Sequence, residues 1–162
     1  MNWYKQSQSM YYHGSNSQDI DNFRPSNAGH INAGLFGNIA VTRHGIFLSN
    51  SKDFASEYGS HIYSVMPTIH NTANVELVKQ DFVESLDPFE ERDLWLLARA
   101  SKHPWGLFDG KLGEKFVQYL KSSGFDSATF EEDLPADATK TGTEKLSKTL
   151  VVFDPKNVRI LR

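Results

Sequence analysis

The stretch Gly45-Ile46-Phe47-Leu48-Ser49-Asn50-Ser51-Lys52-Asp53-Phe54-Ala55-Ser56-Glu57-Tyr58-Gly59 decides how this chain is read. Its apolar run, Ile46-Phe47-Leu48, has the length of a strand and is closed by Ser49-Asn50-Ser51. Asn50 or Ser51 can accept a hydrogen bond from the unpaired amides of a helix start, so a short helix is expected from Lys52 to Glu57. Gly59 is expected to stop it in the left-handed conformation. Phe54 and Tyr58 stand four apart and therefore share one face of that helix. Upstream lies Tyr11-Tyr12-His13-Gly14-Ser15. Two aromatic platforms and a His-Gly pair suit a flat, polar ligand held between strands.

Working outward, residues 1–9 read as a loose tail and 10–13 as the first strand. Residues 16–38 contain Pro25 and several glycines and alanines but little periodicity; they read as loop with room for a turn of helix at 19–23. Residues 39–44 lead into the central strand. Downstream, 62–69 alternates as a strand whose Pro67 marks an edge or bulge, and 74–78 reads as another short strand. Asp87-Pro88 with Glu90 and Glu91 is a helix-start pattern, with Phe89, Leu94, Leu97 and Ala98 as its apolar stripe. Leu112, Phe116, Tyr119 and Leu120 repeat at helical spacing, and Gly124 ends that helix. Strands follow at 127–130 and 150–153, separated by a polar loop at 133–148, and an edge strand closes the chain at 158–161. The strands do not alternate regularly with the helices. This predicts an α+β fold with strands in two small mixed sheets, not a doubly wound parallel sheet, in one domain spanning 10–162.

A chain of 162 residues, 39% of them apolar, can bury a core of its own. The net charge of −3 comes from 17 basic and 20 acidic residues dispersed along the chain, which gives no basic face for nucleic acid. Without cysteine there is no disulfide, thiolate nucleophile or Cys-zinc site. The histidines at 13, 30, 44, 61, 70 and 103 lack metal-ligand spacing, so no metal is expected. No apolar run is long enough for a bilayer and no signal-peptide core is present; the expectation is a soluble protein working in a cytosol, with no membrane partner. Glycine-rich dinucleotide and Walker-type phosphate loops are both missing from the sequence.

Three groups of residues could carry chemistry. His13 can bond a hydroxyl, and Gly14 lets a ligand approach the backbone, whose paired donor and acceptor match a carboxamide; the alternative is a strand-ending turn with a surface histidine. Phe47 and Tyr58 can stack on a flat heterocycle or be core aromatics. Glu131-Glu132-Asp133, Asp137 and Glu144 can supply a carboxylate or be solvated surface.

Taken in order, these motifs resemble the ADP-ribosyltransferases of the His-Tyr-Glu type, which include the poly(ADP-ribose) polymerase catalytic domain. His13-Gly14-Ser15 is similar to the family's first-strand His-Gly-Ser. Gly45-Ile46-Phe47 followed by Tyr58 resembles its Gly-Ile-Tyr and later tyrosine. Leu150-Val151-Val152-Phe153-Asp154-Pro155, with Val158, resembles its closing Tyr-Ile-Val-Tyr-Asp strand and is familiar from small phage and mobile-element domains. The resemblance runs from His13 to Val158, with an unmatched helical insert at about 79–123.

The resemblance implies NAD as substrate, split mixed β-sheets with flanking helices and an NAD cleft, and transfer of ADP-ribose to a macromolecule. A protein target is expected ahead of a nucleic acid, in the cytoplasm of the producing cell or of a host. By position, His13 would bond a ribose hydroxyl, Gly14 would hold the nicotinamide carboxamide, Tyr58 would stack on the nicotinamide and Phe47 would wall the pocket. Ser15 and Ser49 would make lesser contacts. One position departs from the pattern: Thr149 stands where the family has its catalytic glutamate. An acid must then come from elsewhere. Glu131 and Glu132 end the neighbouring strand, and adjacent strand residues face opposite ways, so only one of them can face the cleft. The order of expectation is Glu132, Glu131, Glu144; without an acid, the chain would be a silent NAD- or ADP-ribose-binding module.

Overall fold

The structure, a computed structural model, describes residues 10–15, 27–32, 38–133 and 146–161. Its strands are β1 (Tyr11–Ser15), β2 (Asn27–Asn32), β3 (Asn38–Thr42), β4 (Ile46–Ser49), β5 (His61–Pro67), β6 (Thr72–Asn74), β7 (Ser127–Asp133), β8 (Leu146–Val152) and β9 (Val158–Ile160). Its α-helices are α1 (Lys52–Ala55), α2 (Val75–Ser85), α3 (Arg92–Ala100) and α4 (Gly110–Ser122). Seven strands form one sheet in the order β6-β7-β8-β4-β1-β5-β9, and β2 and β3 form a separate antiparallel pair. Only β6–β7 is parallel in the large sheet, because α2 to α4 carry the chain from one to the other. This is an α+β fold with a mixed sheet. Among the described residues, no helix is long and apolar enough to cross a membrane.

Strand register sorts the side chains onto two faces. Tyr12 lies opposite Ser49, Ser49 opposite Thr149, and Thr149 opposite Phe130. Opposed residues share a face, so Phe47, Ala128, Phe130 and Val151 point to one side, where α2 and α4 cover them with Phe82, Phe116 and Leu120. The other side buries Ile46, Leu48, Val65, Leu150 and Val152. On α4, Leu112, Phe116 and Leu120 recur every fourth residue and are all buried. Each contributes roughly 1.5–3 kcal/mol by leaving water. The helix ends as its sequence predicts, with Gly124 at φ 92°.

Several local expectations give way. Residues 27–32 are a strand rather than loop, since they pair with β3; the suggested turn of helix at 19–23 lies outside the described residues. His13 is not at a strand end, because β1 runs on to Ser15 against β5. The strand expected at 74–78 is instead β6 followed at once by α2: the Asn74 side chain accepts from the Glu76 amide and caps the helix. Asp87 does accept from the Phe89 and Glu90 amides, but it caps a turn, and α3 begins only at Arg92. Phe89, expected in the helix stripe, is 88% exposed. Strands β7 and β8 both extend into the segment read as polar loop, to Asp133 and from Leu146.

Candidate functional site

Ser51 caps α1, its hydroxyl accepting from the Phe54 amide 3.2 Å away. A single 3₁₀ turn, Ser56–Tyr58, prolongs the helix. Gly59 then sits at φ 161°, extended backbone, so it does not end the helix in the left-handed region. The left-handed glycine of this stretch is Gly45, at φ 99°, where β4 begins. The ring centroids of Phe54 and Tyr58 are 5.7 Å apart, edge to face, as their spacing requires. Phe54 is buried, while Tyr58 is 45% exposed and presents its ring at the surface.

Helix α1 lies directly on β1. A Cβ on Gly14 would collide with the Ala55 carbonyl and meet the Tyr58 side chain. The glycine is thus required by the fold itself, which seats Tyr58 over the strand carrying His13. Beyond the pair Tyr12–Ser49, no further register joins β1 to β4. There the His13 imidazole steps in: its Nδ1 lies 2.9 Å from the Phe47 carbonyl. Burial holds the His13 pKa below its ordinary value, against the opposing pull of that carbonyl. The neutral ring then donates from Nδ1 and carries an acceptor lone pair on Nε2. Ser15 lies two residues on, at the end of β1 opposite His61.

Phe47 is part of the core's aromatic cluster. Its ring meets Phe108 at 5.5 Å and Phe130 at 6.0 Å, both edge-on. The Arg43 guanidinium lies 4.7 Å over it and 5.5 Å over Trp105. Asp109 fixes Arg43, with Nε donating to Oδ1 at 3.0 Å and Nη2 to Oδ2 at 3.4 Å. Ser49 is buried; its hydroxyl lies 2.8 Å from that of Ser147 and accepts from the Ser51 amide.

Glu132 and Thr149 meet. Thr149 is 2% exposed, and its hydroxyl donates to Glu132 Oε2 at 2.9 Å. Register accounts for this: Glu132 lies opposite Ser147, on the face of Thr149, whereas Glu131 lies opposite Lys148 and is exposed. Burial raises the Glu132 pKa above the usual carboxylate value; the Thr149 hydrogen bond, Arg43 and His103 pull it partly back. Glu144 lies outside the described residues. Beside Glu132 opens a cavity of about 720 Å³, walled by Phe54, by Val75 and Lys79 of α2, and by His103 and Trp105. His103 stacks on Trp105 at 5.2 Å. Arg43, Trp105 and Ser147 escape a reading of the sequence. Arg43 reaches its partner across 66 positions, and Ser147 belongs to a strand that reads as polar loop.

A half-buried strand carboxylate accepts from a buried threonine beside a cavity that His103 and Trp105 line. The family described as ADP-ribosyltransferase in polyvalent proteins matches residues 8–160. This chain belongs to that family. The ADP-ribosyltransferase domain thus takes in both the large sheet and the helices α2 to α4. No curated protein matches the transferase. A solved structure titled as the crystal structure of an anti-CRISPR protein aligns over 94% of this chain and 94% of its own, at 14% identity and a TM-score of 0.42.

Proposed function

We propose that this transferase is a mono-ADP-ribosyltransferase of the His-Tyr-Glu type that moves ADP-ribose from NAD to a macromolecular target, a protein, and releases nicotinamide. Family membership supports the reaction class. The observation that supports the reading is the 2.9 Å hydrogen bond between Thr149 and Glu132, since it sets a carboxylate beside the residue that stands where the resemblance expects a glutamate. Breaking the glycosidic bond to nicotinamide builds positive charge on the ribose, and a fixed, partly buried carboxylate stabilises it. Glu132 is the catalytic carboxylate in this reading, Thr149 orients it, and Glu131 faces away. His13 bonds a ribose hydroxyl through Nε2, the Gly14 backbone holds the carboxamide, Tyr58 stacks on the nicotinamide, and Ser15 lies beside them. Phe47 and Ser49 support the site from the core side rather than through direct contact. The setting is the cytoplasm, of the producing cell or of a host reached as a phage or bacterial effector.

A second reading has its own observation. Threonine, not glutamate, occupies the closing-strand position, which fits a silent module that binds NAD or ADP-ribose and acts through a partner. Incubation with labelled NAD and a cell lysate, followed by mass spectrometry, separates the two. Transfer predicts single ADP-ribose adducts on protein and free nicotinamide. A melting shift with NAD but no released nicotinamide selects the silent module, and no shift with NAD, nicotinamide or ADP-ribose removes both.

A further inference from the structure

Phe130 and Glu132 stand two apart on β7, so their side chains leave the same face of the sheet, the face to which Phe47 also points. The rings of Phe47 and Phe130 have their centroids 6.0 Å apart. The Arg43 guanidinium stands 4.7 Å over Phe47 and 5.5 Å over Trp105, and Trp105 lines the same cavity as Glu132. A positive charge is therefore bedded in the aromatic layer that flanks the Glu132 carboxylate.

Several contacts hold Arg43 there. Asp109 accepts from Nε at 3.0 Å and from Nη2 at 3.4 Å. The two residues also form a backbone bridge, and the His44 amide donates to the Phe108 carbonyl at 2.8 Å. Both side chains are mostly buried, 14% exposed for Arg43 and 13% for Asp109. Water and salt screen such charges less than exposed ones. The other charged or titratable groups around the cavity are Glu76 and Lys79 of α2, Lys102, His103 and Glu131. Glu76, Lys102, His103 and Glu131 are exposed, and the Lys79 ammonium donates to the Ser101 carbonyl at 2.7 Å. Arg43 is thus the least screened cation of this layer, and its charge is one of those that draw the Glu132 pKa back down.

We infer that Arg43, fixed by Asp109, is a positioning residue of the reaction, whose guanidinium favours the charged form of the Glu132 carboxylate. The inference rests on the transferase reading, in which that charged form is the active one. Asp109 has two effects: it fixes the guanidinium, and its own negative charge offsets part of the field. Removing one charge of the pair leaves the other unbalanced. Without Arg43, the remaining Asp109 opposes a second negative charge, and Glu132 keeps its proton to higher pH. With a neutral residue at 109, Arg43 acts unopposed, and Glu132 gives up its proton at lower pH. A pair that only tied the β3–β4 connection to the start of α4 would give the same result whichever half was removed.

The test is a carboxyl NMR titration of the full chain with isotope-labelled glutamate, without NAD, the Glu132 signal being assigned by its loss in Glu132→Gln. Arg43→Gln should move the Glu132 midpoint upward by about half a unit or more, and Asp109→Asn should move it downward. Arg43→Lys keeps the charge and loses the planar fork, so it should stay closer to wild type than Arg43→Gln. The acid limb of nicotinamide release from NAD should follow the same order. An unmoved midpoint in Arg43→Gln, or shifts of one sign in Arg43→Gln and Asp109→Asn, overturns the proposal. Should Arg43→Gln fail to fold, Asp109→Asn and Arg43→Lys decide: a midpoint that does not fall in Asp109→Asn, or that rises in Arg43→Lys as the loss of the charge would make it, overturns it. A wild type that releases no nicotinamide overturns the transferase reading, and the titration still decides whether Arg43 acts on Glu132.

Discussion

Thr149 gives its hydroxyl hydrogen to Glu132 across 2.9 Å, from a position on β8 that lies between two strands in register. A hydroxyl donor and a carboxylate acceptor thus meet on neighbouring strands. Because Thr149 is buried, the bond holds the carboxylate at a fixed place on one face of the sheet.

Removing the Glu132 charge should separate chemistry from binding. Glu132→Gln is expected to lower nicotinamide release about 10²- to 10³-fold, the usual range for a group aimed at transition-state charge. The melting shift induced by NAD should persist. Glu131→Gln, on the exposed side, should remain within twofold. Equal loss in both variants would contradict the face assignment.

The raised Glu132 pKa has a definite pH signature. The ionised form is the active one, so turnover should climb with pH through a midpoint above the ordinary carboxylate range. For stability the sign is opposite. The folded carboxyl holds its proton more tightly than the unfolded one, so its stabilisation is full below the unfolded pKa and is lost as pH rises through the folded pKa. Melting temperatures should show Glu132→Gln gaining on wild type from acid toward neutral pH. A difference that does not vary with pH would mean the carboxylate is not disfavoured by burial.

Tyr58 and Phe47 should fail in different ways. Phe47 packs against Phe108 and Phe130, so Phe47→Ala is expected to cost about 3 kcal/mol of stability. Exposed Tyr58 should cost less than ~1 kcal/mol as alanine, yet most of the NAD-induced melting shift should disappear. Chemical denaturation and ligand titration on both variants check this. A Tyr58→Ala protein that keeps its full NAD shift would take the tyrosine out of the site.

Gly14 has a backbone reason to be glycine that is independent of any ligand. Gly14→Ala drives a methyl group into the Ala55 carbonyl, which must shift α1 and with it Tyr58. Destabilisation of about 1–3 kcal/mol is expected from such overpacking, together with weakened NAD binding. Unchanged melting would show that α1 is free to move off β1.

These residues also mark how far the chain could be read from its letters. The Ser51 cap, the Phe54–Tyr58 pair and the α4 stripe rest on contacts within a few residues, and each is where local spacing puts it. The opposite facing of Glu131 and Glu132 follows from strand alternation alone. Asn74 carried a readable cap two residues before Glu76, but the apolar run Val75-Glu76-Leu77-Val78 suits strand and helix equally, and packing on β7 decided for helix. The Arg43–Asp109 pair and the pairing of β2 with β3 depend on which elements become neighbours. No local signal specifies that. Gly59 shows the reverse error: a glycine after a helix reads as a left-handed stop, yet the chain there only straightens into β5.

The closing-strand position itself offers the sharpest test. Thr149→Glu alone puts a second carboxylate within hydrogen-bond range of Glu132 in a buried spot. Two such groups cannot both ionise at ordinary cost, and they would share a proton. The single variant should therefore shift its acid limb upward and gain little turnover. Thr149→Glu combined with Glu132→Gln is the clean exchange: one carboxylate remains, moved from β7 to β8, with an amide in place of the former acid to hydrogen-bond it. If the cleft is built around a charge at this point, the double variant should recover at least tenfold of the nicotinamide release lost in Glu132→Gln. Release measured at a pH above both midpoints keeps ionisation out of the comparison. A double variant as inactive as Glu132→Gln, though still folded and still stabilised by NAD, would mean the charge must stand on β7. A wild type, single and double variant that all bind NAD and release nothing would leave the silent module as the function.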